Sequence, residues 1–482
     1  MAISEIWIPE ILIVVFLSVP YIRPYFKRSY RTETIRTPEG LVWLQIIALG
    51  ITAAIFPAYG YRPECLPILL FALFVNIINF FFYIRINISG PGNFQNTLID
   101  ILALVTLVFC AIPMFVFSPK TNLKPVNESG QVKTLKINVM PGRDFYLRVY
   151  GPVQSERPLV LLIPPETGSA VSVDLVCTAL QNNNYTVVTY FYSGTDTPLV
   201  DENGRKHPVS PVKYFSYRRM RSRAQTVASV NEQGKKLENG RRAEIEFLLT
   251  QIPSLSDNKA APPPILLAGY GAGGSAAAWL AGDKNFAARH SNVLGAIAVE
   301  SRLWTAYRAV PRAATKEVPA ENNDSITGYI LRYLNTALEF FKNLKPEAAE
   351  FAGPLPDSCL PVLYLVSGRA LENNRQLSGI PYKAVFETMR SSAGPVALAA
   401  VESAGPLDYQ DYPLTHPLYS FLRPGLKGAK KSENPVNNTA GIIGNFAAML
   451  LEKTEGEIII PPHQATDGSL YIESRGLGAF RL

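Results

Sequence analysis

Cysteine is scarce in this chain of 482 residues, with four in all, and histidine is equally scarce, also with four. There is no C-x-x-C pair and no H-E-x-x-H, so zinc ribbons, dithiol redox chemistry and the commonest zinc-hydrolase motif are excluded, and no clustered His/Asp set calls for a metal. Cys65 and Cys110 fall at or in apolar stretches, which leaves Cys177 and Cys359 as the pair able to form a disulfide, though nothing in the sequence requires one. Charge is low as well: 18% of residues are charged and the net is +7. From Ser118 onward 39 Lys+Arg stand against 33 Asp+Glu, too small an excess over that length to suggest nucleic acid as a partner. The densest basic cluster, Arg218, Arg219, Arg221 and Arg223, reads either as a contact for anionic headgroups or as a solvated face. Internal repeats and long low-complexity segments are absent, and "NKAAPPP" (Asn258–Pro264) is a local loop.

Apolar length is what the chain has in abundance. Four stretches crowd its first quarter: Ile6–Ile22, Leu41–Ala58, Leu66–Ile84 and Leu98–Phe117, each of 17 to 20 residues. A helix of that length crosses a bilayer core about 30 Å thick, so residues 1–118 are expected to form a membrane domain of four transmembrane helices. Met1–Glu5 lacks a basic region and no small-residue cleavage site follows, which argues against a cleaved signal peptide. Arg23, Lys27, Arg28, Arg31 and Arg36 lie in the first loop and Arg85 in the third, whereas the second offers Arg62 with Glu64 nearby. The positive-inside rule then places the first and third loops in the cytoplasm and the large C-terminal domain on the extracytoplasmic side, against the milder pull of Lys120 and Lys124. The expected location is an integral membrane protein, in the cytoplasmic membrane if the source is bacterial.

Residues 119–482 alternate short β-rich runs with helix-capable sequence. Strands are predicted at Thr134–Val139, Phe145–Tyr150, Leu159–Ile163, Tyr185–Tyr192, Ile265–Ala268, Leu294–Val299, Val362–Val366 and Ala397–Val401. Helices are predicted at Val171–Gln181, Arg241–Gln251 and Gly274–Ala281. That order implies an α/β fold with a mostly parallel, eight-stranded sheet covered on both faces. The wide gap over about 302–360 reads as a cap inserted between the sixth and seventh strands.

The segment "ILLAGYGAGGSAAAWLAG" (Ile265–Gly282) supports two readings of one turn. Gly269, Gly271 and Gly274 satisfy G-x-G-x-x-G after a strand, with Glu300 as a ribose ligand, as in a dinucleotide-binding domain. Against it, four strands precede the motif and Glu300 lies beyond the usual spacing of about 20 residues. The other register is Gly269-Tyr270-Gly271-Ala272-Gly273, the G-x-S-x-G elbow with glycine at the serine. Glycine adopts the strained backbone of a nucleophile without steric cost.

"LAGYGAGGSAAAWLA" resembles the nucleophile block of the α/β-hydrolases, in particular the platelet-activating-factor acetylhydrolase and dienelactone-hydrolase-like enzymes. The likeness spans roughly Thr134–Leu451. "RRAEIEFLLTQI" resembles the preceding helix, "GAIAVESRLW" the segment carrying the acid, and "VESAGPLDYQDYPL" the histidine block. The resemblance implies Glu300 at the acid and Pro406 at the histidine, with Tyr409 and Asp411 matching the residues after it; "SGRALE" offers Leu371 and Glu372 at the alternative acid position. It also implies an oxyanion region at Pro164, Pro165 and Glu166, where a His-Gly is usual, together with Tyr270 and Ala272 at the elbow. Gly271 has no side-chain oxygen, the Pro406 side chain can neither accept nor donate a proton, and Glu166 would repel an oxyanion. The expectation is a pseudo-hydrolase, leaning away from enzyme activity. Its expected partners are a lipid bilayer and a small apolar or acyl ligand or membrane protein, and no cofactor is called for. The alternative is an ester or lipid hydrolase with a relocated nucleophile, Ser275 or Ser301, or Ser169 after the third strand. Of the histidines, His207 sits on a long loop able to reach the pocket mouth, while His290, His416 and His463 read as structural.

Overall fold

The computed structural model describes residues 10–18, 38–59, 63–75, 97–117, 132–140, 143–165, 173–192, 227–256, 262–309, 349–368, 380–391, 394–405, 409–410, 435–452 and 470–475, a few single positions aside, with short pieces between 199 and 212.

Four apolar helical pieces come first. They are residues 10–18, α1 (Pro38–Tyr59), residues 63–75 and α2 (Thr97–Val116). Each buries one stripe at three- and four-residue spacing, and the stripes form one core: Ile13 and Leu17, Ala48 and Ile55, Ile68 and Ala72, Leu107 and Ala111. Their outer faces stay apolar, with Trp43 64%, Leu70 61%, Phe74 62% and Phe109 67% exposed. The side chains described in α2 begin at Ile101, and among the described residues no helix is both long and apolar enough to cross a membrane. The four transmembrane helices expected from the sequence are not shown: the described residues carry four apolar helical pieces that pack together.

The large domain is built on one sheet of nine strands, ordered β1-β2-β4-β3-β5-β6-β7-β8-β9. β1 (Val132–Met140) and β2 (Arg143–Tyr150) form an antiparallel hairpin, and β2 lies antiparallel to β4 (Thr186–Tyr192). From β4 onward β3 (Leu159–Ile163), β5 (Ile265–Tyr270), β6 (Val293–Val299), β7 (Val362–Ser367) and β8 (Val396–Val401) run parallel. All eight predicted strands are present, and the mixed α/β sheet resembles that of the α/β-hydrolases. A ninth, β9 (Leu470–Arg475), adds antiparallel to β8. It escapes a sequence reading because the apolar run of "LYIESR" stops after three residues, too short to set it apart from a loop.

The central strands alternate between two cores. Leu159, Leu161 and Ile163 of β3 face one, and Val160 and Leu162 the other. The first core is covered by α4 (Val227–Leu255), α5 (Ala272–Gly282), α6 (Lys284–Arg289) and α7 (Ile380–Ser391), the second by α3 (Asp174–Asn182) and α8 (Pro435–Glu452). Each fully buried Leu, Ile or Val contributes about 1.5–3 kcal/mol over its exposed state, so the two-sided cover fixes where each strand ends. Those ends place the elbow. The cap expected over 302–360 is described at its two ends: a 3-10 turn, Trp304–Ala306, and an antiparallel ribbon of Tyr307–Ala309 with Ala349–Phe351.

Candidate functional site

β5 ends at Tyr270, and Gly271 turns the chain directly into α5. Gly271 sits at φ 54°, ψ −120°, a region that a side chain occupies only under strain. Its N–H donates to the Val299 carbonyl at 2.9 Å, which ties the turn to the end of β6. The flanking glycines are there for contact. A Cβ on Gly269 would lie 2.5 Å from the Gly273 carbonyl carbon, and one on Gly273 would lie 2.5 Å from Ile163 Cγ2. Strand and helix approach too closely at both positions for any side chain. This is the geometry of a nucleophile elbow at the middle of the sheet, with hydrogen in place of the nucleophile's side chain.

The other residues singled out from the sequence gather around it. Glu300 lies at the end of β6, buried and itself at positive φ (50°). Its carboxylate accepts the Ser367 N–H at the end of β7, and its own N–H donates to the Leu365 carbonyl at 2.9 Å. Glu300 therefore clamps two strand ends together. Ser301 donates to the Gly271 carbonyl at 3.0 Å, and Ser275, one turn into α5, faces the same carbonyl at 3.1 Å. Ser275 Oγ in turn accepts the Leu303 N–H at 3.1 Å. Both serines are 1% exposed. Pro165 is buried at the end of β3 and, like Pro164, has no N–H to offer an oxyanion. Ala272 opens α5 in the core, and the Tyr270 ring is buried in the core beneath α3 and α8. Tyr409 is buried and donates from its hydroxyl to the Val366 carbonyl at 2.9 Å. Pro406 and Glu166 lie outside the described residues, as do Ser169, Leu371, Glu372, Asp411, His416, His463 and the arginines at 218–223.

Of the remaining candidates, His207 belongs to a two-residue strand pairing with Leu199–Val200. His290 follows α6 and packs on Phe286 with ring centroids 4.8 Å apart, where burial lowers its pKa. Cys177 is buried, Cys359 is exposed and the two are not bonded. Among the described residues no group of three His, Cys, Asp or Glu is placed to hold a metal ion.

Glu238 is the site residue that sequence reading missed. It lies on α4, 1% exposed, one turn after Gly234. Its carboxylate accepts the N–H groups of Trp304 and, at 2.8 Å, Thr305, with the Thr305 and Ser275 side chains beside it. The elbow thus has a layered wall: Gly271 at the turn, Ser275 behind it, Glu238 beyond, and the Leu303–Ala306 turn bonded to Ser275 and Glu238.

A family profile described as TP_0976_N, N-terminal domain, matches residues 4–118. No curated protein matches the chain. Among solved structures, the ferulic acid esterase from Streptomyces cinnamoneus is similar at 15% identity over 70% of this chain and 91% of that one, with a TM-score of 0.38. The dienelactone hydrolase from Anabaena variabilis is similar at 14% identity over 61% of this chain and 97% of that one, with a TM-score of 0.31. The esterase domain of a Rhodothermus marinus protein is similar at 14% identity over 66% of this chain and 98% of that one, with a TM-score of 0.31. Strand order and elbow give the large domain its likeness to the α/β-hydrolase fold.

Proposed function

We propose that this chain is a non-catalytic α/β-hydrolase-like protein, seated in a lipid bilayer by its N-terminal helices and using its large domain to bind a small apolar or acyl ligand or a membrane partner. The observation that carries the first part is Gly271: the backbone keeps the nucleophile's strained conformation and supplies no oxygen. Two hydroxyls nearby, Ser275 and Ser301, are buried and bonded to the Gly271 carbonyl, so each holds the turn in place and neither is free to attack a substrate. Pro164 and Pro165 remove backbone donors from the rim where an oxyanion would need them. The apolar outer faces of all four N-terminal helical pieces support the second part. A protein partner would cover one side of such a bundle, whereas lipid covers every side.

The test is activity of the full chain. It should hydrolyse short-chain nitrophenyl esters no faster than the buffer blank and should take up no fluorophosphonate probe. Stoichiometric labelling at Ser275 or Ser301 would overturn the reading in favour of a relocated nucleophile.

A further inference from the structure

Among the large apolar side chains described on the outer face of the N-terminal bundle, that of Trp43 alone carries a hydrogen-bond donor. It is 64% exposed, and its indole N–H has no acceptor in the protein among the described residues. An unmet donor is costly in hydrocarbon and is readily met by water or by lipid ester oxygens.

Its place on the helix is as telling as its chemistry. Trp43 lies one turn after Glu39, the only charged residue of α1. Beyond it the outward positions are Ile46, Ile47, Gly50, Ala53, Ala54 and Ala58. From Trp43 to Ala58 the helix rises about 22 Å, enough to pass through one leaflet of a hydrocarbon core about 30 Å thick. Helix α2 repeats the order: Asp100 stands near its start, and Ile101, Leu102, Val105 and Phe109 face outward after it. Phe109, the aromatic residue further from the charge, is the one without a polar atom.

We propose that Trp43 marks the headgroup boundary of the bilayer, with its ring against the first acyl carbons and its N–H donating to lipid ester or phosphate oxygens. A ring that is apolar on its faces and polar at one edge is best placed at such a boundary. Trp43 then sets the depth at which the start of α1 meets the membrane. This deepens the reading above by naming the layer of lipid that the bundle meets, and it rests on that reading for the presence of a bilayer.

The test uses the full chain in phosphatidylcholine vesicles, with bromine on the acyl chains either near the ester or near the methyl end to quench indole emission. The Trp43 signal is the difference between the unmodified chain and Trp43→Phe, so the other tryptophans cancel. It should be quenched by the shallow bromine about twofold or more over the deep one. Ala54→Trp lies on the same outer face about 16 Å further along, and its added emission should be quenched more by the deep bromine. Either difference decides on its own should the other variant not fold. A Trp43 signal quenched equally or more by the deep bromine overturns the proposal, and so does an Ala54→Trp signal quenched more by the shallow one. Co-flotation of the same samples separates this proposal from the bilayer seat. If the chain floats and neither bromine quenches Trp43, protein covers the indole and the boundary assignment falls while the seat stands. If the chain does not float, both fall.

Discussion

At Gly271 the backbone occupies φ 54°, ψ −120°, so any side chain there meets strain before it meets a neighbour. Gly271→Ala should destabilise the large domain by about 1–3 kcal/mol, the usual cost of a sparsely allowed conformation, read from denaturant midpoints at unchanged slope. Gly269→Ala adds a collision to the backbone of Gly273 and should cost at least as much. A neutral Gly271→Ala would mean that the turn relaxes, and the elbow assignment would lose its physical basis. The glycines were legible because each answers a local demand, at a turn or at a close approach of strand and helix. Glu238 was not. Within "NEQGKKLENG" it reads as one polar residue on a solvated helix, and its burial is decided by Trp304, 66 residues further along the chain.

Among the elements, the central strands were the most readable, because β3, β5 and β7 are continuous apolar runs, fully buried on both faces. Helix α4 was read over Arg241–Gln251 but starts at Val227, since Gly234 and Gly240 and a charged, polar first half mask its beginning. Packing supplies the missing signal: Gly234 leaves the space that the Trp304 ring fills. Gly234→Ala should therefore displace Trp304 and cost about 1–3 kcal/mol, in spite of the better helix propensity of alanine. The readout is thermal unfolding together with exchange at the Trp304 and Thr305 amides. A stabilised variant, as propensity alone would give, would show that the indole does not rest on that helix face. β9 was beyond reach for the opposite reason, being a short stretch whose pairing partner, β8, lies far back in the sequence.

On the scale of the whole molecule the two parts of the chain hide apolar surface differently. The large domain encloses its apolar residues on either side of one sheet. In the N-terminal bundle the inner seam mixes Ala48, Ala72 and Ala111 with Leu17, Ile68, Phe71 and Leu107, while Leu70, Phe74 and Phe109 point outward. An outer face as apolar as the seam suits lipid-immersed helices, since lipid is as apolar as leucine. An outward Asp at the depth of the bilayer centre costs about 2.5–3.5 kcal/mol, or about a hundredfold in partitioning. Leu70→Asp and Phe109→Asp should therefore each reduce co-flotation of the full chain with phosphatidylcholine vesicles. Val212→Asp, at a position 76% exposed outside the bundle, should leave flotation unchanged. Comparing the three separates a lipid-facing belt from general stickiness, because all three introduce the same charge at an exposed apolar site. If the unmodified chain stays monodisperse without detergent and does not float, the outer faces of the bundle are met by protein and the bilayer seat fails.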